Sequence, residues 1–109
     1  MNRKKRILNL ESPTTVEFLR ATVTTTEDPT SGAVKWQLVS PGSDPDSGSW
    51  TAGAWVSGSW DATALQATTT SPAVVGSLGA AADTAYDVYV QWVVGSETPE
   101  HYAGRLVMP

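Results

Sequence analysis

The stretch that most constrains this chain is residues 85–94, which read AYDVYVQWVV. Tyr86, Val88, Val90, Trp92 and Val94 fall on one parity, and Asp87, Tyr89, Gln91 and Val93 on the other. A period of two built from β-branched and aromatic residues is the pattern of a strand with one well-buried face. The turn-prone Gly95-Ser96-Glu97-Thr98-Pro99-Glu100 follows, and residues 101–108 make a second short run before Pro109. Together they predict an antiparallel hairpin. A lone hairpin is only marginally stable in water, so the earlier residues have to supply the surface it packs on.

Those earlier residues read as further strands. In residues 33–40, Val34, Trp36 and Leu38 point inward, with Lys35 and Gln37 outward. Residues 14–26 hold a first strand in which Val16, Phe18 and Arg20 share one parity and Leu19, Ala21 and Val23 the other. Because both parities carry apolar residues, a bulge or a change of buried face is expected near Arg20. Residues 62–70, rich in alanine and threonine, suit an edge strand with Leu65 and Ala67 on one parity. Val74, Val75 and Leu78 anchor the connection that follows, and Ala80-Ala81-Ala82 suit one helical turn. Tyr86, entering a late strand, is the residue to bond back to the preceding loop, as in a tyrosine corner. Short strands at these intervals without an amphipathic helix predict an all-β fold. The expected architecture is a single antiparallel β-sandwich, immunoglobulin- or fibronectin-like, over residues 14–109, with an extended basic arm at residues 1–13.

Composition narrows the function. A chain of 109 residues is one domain with room for a real core. It contains no cysteine, so it has neither a disulfide framework nor a thiolate metal site. Arg3, Lys4, Lys5 and Arg6 are four of its seven basic residues. From residue 7 onward three basic residues face eleven acidic ones, a balance of −8 beneath a +4 arm. So acidic a body does not offer the positive stripe that phosphates require, which argues against a nucleic-acid partner. No stretch approaches the ~20 apolar residues of a membrane span. Glu11 and Pro13 interrupt the segment after Arg6 before an apolar signal core forms, which predicts a soluble protein made without a removable leader.

No catalytic constellation is legible. His101 is the single histidine, and neither a cysteine nor a recognisable serine motif provides a nucleophile for it to activate. Asp44 and Asp46 flank a proline in a Pro/Gly/Ser-rich loop. A calcium loop needs six to eight oxygens, so turn chemistry is the better reading, and no cofactor is expected. Trp50, Trp55 and Trp60 recur at intervals of five. An odd interval puts successive rings on opposite faces of a strand, so they cannot all line one face. At least one of Trp50 and Trp55 is expected to lid the core, and Trp60 is left as a candidate contact. Exposed coplanar rings would instead make a carbohydrate-binding module.

Three stretches in order carry a resemblance. They are Leu19-Arg20-Ala21-Thr22-Val23 with Asp28-Pro29-Thr30; Ser47-Gly48-Ser49-Trp50 with Gly53-Ala54-Trp55; and Tyr86-Asp87-Val88-Tyr89-Val90 with Glu97-Thr98-Pro99-Glu100 and Ala103-Gly104-Arg105-Leu106-Val107. Over residues 19–107 the chain resembles the small β-sandwich proteins encoded among the head and head–tail genes of tailed phages of actinobacteria. It departs from them in the arm, in Gly58-Ser59-Trp60, and in a longer connection over residues 79–84. The resemblance implies a non-enzymatic virion protein, made in the host cytoplasm, that is either a capsid decoration or a neck connector. The major capsid protein, another virion subunit or a second copy of this chain is the expected partner. Arg3, Lys4, Lys5, Arg6, Ile7, Leu8 and Leu10, on an arm expected to project from the domain, and Trp60 in the body are the candidate partner-binding residues.

Overall fold

The computed structural model describes residues 18–108 together with the backbone of Ile7–Leu8. Its strands are β1 (Ile7–Leu8), β2 (Arg20–Thr24), β3 (Val34–Val39), β4 (Thr51–Ala52), β5 (Ala54–Trp55), β6 (Gln66–Thr70), β7 (Ala85–Trp92) and β8 (Glu100–Val107). No helix occurs among the described residues. The strands form two sheets, one in the order β1-β8-β7-β3-β4 and one in the order β2-β6-β5. Every pairing is antiparallel except that of β1 with β8.

The alternation in β7 places Val88, Val90 and Trp92 in a core shared with Trp36 and Val34 of β3, Ala21 and Val23 of β2, and Leu106 of β8. Trp36 is fully buried, and its indole N–H donates to Thr69 Oγ1 of the opposite sheet at 3.3 Å. That hydroxyl donates in turn to the Ala54 carbonyl at 2.7 Å, so one polar chain links β3, β6 and β5 across the core. Apolar burial dominates the energetics here, and this chain of bonds satisfies the Trp36 N–H and the Thr69 hydroxyl, which apolar packing would otherwise strand. The hairpin expected at the C-terminal end is present: Val94 and Glu97 exchange backbone hydrogen bonds at its tip, both 2.9 Å.

Gly53 joins the sheets directly. Its N–H donates to the Val34 carbonyl at 2.9 Å, and the chain passes from β4 of the large sheet to β5 of the small one through this single residue. A Cβ there would lie 2.6 Å from Trp36 Cδ1 and 2.7 Å from the Thr70 carbonyl. Only glycine lets the backbone approach the indole so closely.

Several expectations are corrected. Residues 62–70 do not form an edge strand: β6 is the centre of the small sheet, with β2 and β5 on either side. It begins only at Gln66, because residues 61–65 are spent on a turn. The change of face near Arg20 is absent among the described residues. Leu19, Ala21 and Val23 are buried in strict alternation, Phe18 is exposed, and β2 pairs with β6 in one uninterrupted register. Ala80–Ala82 makes no helical turn. The helix-like turn lies earlier, where the Ala73 carbonyl accepts from Ser77 and Leu78 N–H, and it seats Val74, Val75 and Leu78 on the core as anticipated.

The outer face of the large sheet departs furthest from expectation. Gln37, expected in solvent, is buried, as are Asp87 and Tyr89 on the second parity of β7. The β3–β4 connection folds back over them and is held by their side chains. The Gln37 amide brackets Asp46, donating to its carbonyl at 2.9 Å and accepting from its N–H at 2.8 Å. Asp87 Oδ2 accepts the Gly42 N–H at 2.8 Å.

Candidate docking surface

The arm and the sheet edge it meets are the first part of this surface. Ile7 pairs with Arg105 and Leu8 with Leu106, parallel, so β1 completes the edge of the large sheet beyond β8. The expectation of an arm that projects along its whole length is therefore corrected at these two residues. A sheet edge presents unpaired N–H and C=O groups, and a short segment laid along it satisfies some of them. Arg3, Lys4, Lys5, Arg6 and Leu10, with the boundary drawn at residue 13, lie outside the described residues.

A bulge in β8 sets the chemistry of that edge. Val88 pairs with Gly104 and Tyr89 with Tyr102, which leaves Ala103 as the extra residue. Gly104 has φ +149°, a region side chains rarely adopt, and it relieves the kink. The bulge also reverses parity, so Tyr102 and Arg105, three residues apart, reach the same outer face. Both converge on one oxygen of Asp87: Arg105 Nε at 3.1 Å and the Tyr102 hydroxyl at 3.4 Å. Asp87 is 0% exposed and Arg105 37%, so the carboxylate is sealed while the guanidinium keeps one side in water. The Tyr89 and Tyr102 rings meet edge-on at 5.5 Å beside this cluster. These groups hold the loop and the edge.

Trp60 lies in the β5–β6 connection and is half-buried. Its neighbours are firmly placed. The Ser59 hydroxyl donates to the Thr68 carbonyl and accepts the Thr68 N–H, at 3.2 and 3.0 Å. Asp61 Oδ1 accepts the N–H groups of Thr63 and Ala64 at 2.9 and 3.1 Å. The same turn presents Leu65, 40% exposed and at φ +59°. A left-handed conformation costs a non-glycine residue about 1–2 kcal/mol. Leu65 is the surface residue that sequence reasoning missed, because periodicity assigned it to a strand interior. Asp61 followed by two small residues was the turn signal available.

The other tryptophans are engaged in the fold. Trp92 is buried against the edge of the His101 ring at 6.2 Å, and Trp55 packs on the core with its N–H on the Gly32 carbonyl at 3.0 Å. Trp55 thus takes the lid role expected of it or Trp50, and Trp50 is half-buried. Asp46 uses its carboxylate within its own turn, accepting from Gly48 N–H at 3.1 Å and Ser49 Oγ at 3.4 Å.

Charge on the described surface is one-sided. Glu27, Asp28, Asp44, Asp46, Asp61, Asp83, Glu97 and Glu100 are exposed, against Arg20 and Lys35. Asp28 is held below the ordinary carboxylate range, first by the Thr30 hydroxyl at 2.6 Å and then by the Thr30 N–H at 2.9 Å. No family model, no curated protein and no solved structure matches this chain.

Proposed function

We propose that this chain is a non-enzymatic structural protein of a tailed-bacteriophage virion, an immunoglobulin-like β-sandwich that decorates the head by docking on the major capsid protein. The observation that carries the reading is the ordered resemblance over residues 19–107, with Leu19–Val23, Trp50–Trp55 and the β7–β8 hairpin in the spacing of that group.

Details of the fold support it. The Tyr86 hydroxyl accepts the Ala81 N–H at 2.8 Å, the bond a tyrosine corner makes at the entry to a late sandwich strand. A buried tryptophan, Trp36, occupies the strand that pairs with that late strand, and the terminal segment β1 runs parallel to the last strand. The chemistry fits a docking role. Four of the five buried polar side chains among the described residues, Gln37, Thr69, Ser71 and Asp87, are committed to bonds that hold backbone or neighbouring side chains. The carbohydrate-binding reading loses support, because Trp36 and Trp92 are buried and Trp50, Trp55 and Trp60 are half-buried.

A decoration protein needs a stable body, a docking segment and many copies, whose avidity offsets weak single contacts. Arg3–Arg6 supply attraction to acidic partner surface that acts on association rate and its salt dependence more than on affinity. Co-sedimentation of the purified chain with assembled heads tests the reading. Saturable binding at a fixed ratio per head is expected. A chain that stays in the supernatant with heads and binds isolated necks belongs at the head–tail connection; one that binds neither is not a virion subunit.

A further inference from the structure

We infer that the β8 edge is an exchange seat: the Ile7–Leu8 strand of a second copy of this chain lays itself along Arg105–Leu106, in the register that β1 takes within one chain. The inference deepens the docking role proposed above, and rests on it for its setting in a particle. Its physical basis is separate.

Complementarity of seat and strand is already present, because Ile7 pairs with Arg105 and Leu8 with Leu106. These are backbone pairings at a sheet edge, and an edge makes the same bonds with an identical strand from another copy. The strand is only two residues long, and a backbone hydrogen bond contributes about 1 kcal/mol net, so closure on the chain's own edge holds weakly. Nine residues, 9–17, separate Leu8 from Phe18. At ~3.4 Å per residue they reach about 30 Å. The domain itself measures 38 × 31 × 25 Å, so the linker's reach is comparable to the width of one domain.

Charge selects the occupant. Two bodies with eight exposed carboxylates against two exposed cations repel each other at close approach. An exchanged strand carries Arg3, Lys4, Lys5 and Arg6 onto the neighbour and offsets that repulsion. Parallel pairing points the N-terminal end of β1 towards the Glu100 end of β8, where Glu97 and Glu100 are exposed. Reciprocal exchange gives a closed dimer, and sequential exchange gives a ring or a chain of copies.

The absence of native cysteine makes the test direct. A chain carrying both Ile7→Cys and Arg105→Cys is oxidised after refolding at high protein concentration and run under non-reducing denaturing conditions. Exchange gives disulfide-linked species of two or more chain masses as the main product, and an equimolar mixture of the two single variants gives the mixed dimer. An intrachain disulfide at one chain mass, with no mixed dimer, overturns the inference. If Arg105→Cys does not fold, light scattering of the unsubstituted chain decides: the mass rises with concentration and falls to one chain on deletion of residues 2–8. A constant single-chain mass overturns it. A chain that closes only on itself yet sediments with heads removes exchange and leaves the virion role standing. One that exchanges but ignores heads does the reverse.

Discussion

The inner and outer faces of the large sheet both bury side chains, yet those side chains have little in common. Inside, Val34, Trp36, Val88, Val90 and Trp92 meet the small sheet, and apolar area drives the contact. Outside, Gln37, Asp87 and Tyr89 lie under a loop whose apolar residues over positions 40–49 are two prolines, and the loop is held by hydrogen bonds to Gly42 and Asp46. Burial of the first kind is spread over many atoms. The second kind hangs on a few bonds of modest net value, and fails locally when one is removed.

Substitutions on the two faces turn that contrast into measurements. Trp36→Ala removes the largest fully buried side chain and its link to Thr69, and is expected to lower unfolding free energy by about 3–5 kcal/mol in urea titration. A loss under 1 kcal/mol would mean the inner face is not the core. Gly53→Ala pushes a methyl into the same indole, with an expected loss of about 3 kcal/mol. Its crystal structure should show Trp36 or the β4–β5 crossing displaced, and an unmoved indole would contradict the close approach.

On the outer face, Asp87→Ala strands the Gly42 N–H and leaves Arg105 to solvent. The expected loss is about 2 kcal/mol, with faster amide exchange at Gly42 and Asp46 and unchanged protection at Val88 and Val90. If protection in β7 falls equally, the two faces are one cooperative unit and the contrast is wrong.

The smallest effect belongs to Asp28. Its carboxyl binds a proton less readily folded than unfolded, so its stabilising contribution is present above the ordinary carboxylate range. That contribution is lost as pH falls through the lowered folded value. Asp28→Ala should therefore slightly flatten the acid limb of stability against pH and leave the rest unaltered, whereas an effect at neutral pH equal to that of Asp87→Ala would show a larger role for this turn.

The same contrast explains what was legible beforehand. The parities of β3 and β7, the bond from Tyr86 to the preceding loop and the anchoring of Val74, Val75 and Leu78 were readable, because apolar periodicity reports burial between sheets. Burial of Gln37 and Asp87 was not, since a polar residue on the second parity looks the same whether solvent or a folded-back loop covers it. Tyr102 and Arg105 acting together was hidden by the bulge, which breaks the period that the reading assumed. The central position of β6 was missed because threonines facing solvent resemble an edge, whereas Ala67 and Thr69 on its other side are fully buried. Of the candidate docking residues, nothing in the sequence indicated that Ile7 and Leu8 meet β8.

The single-residue crossing at Gly53 has a mechanical consequence. Because β4 is tied to β3 and β5 to β6, with one residue between them, the two layers are riveted at that point. Sliding one over the other would break both pairings together and tear the indole from beneath the rivet. Under lateral load the crossing resists shear at that one point, so the layers cannot slide there without breaking it.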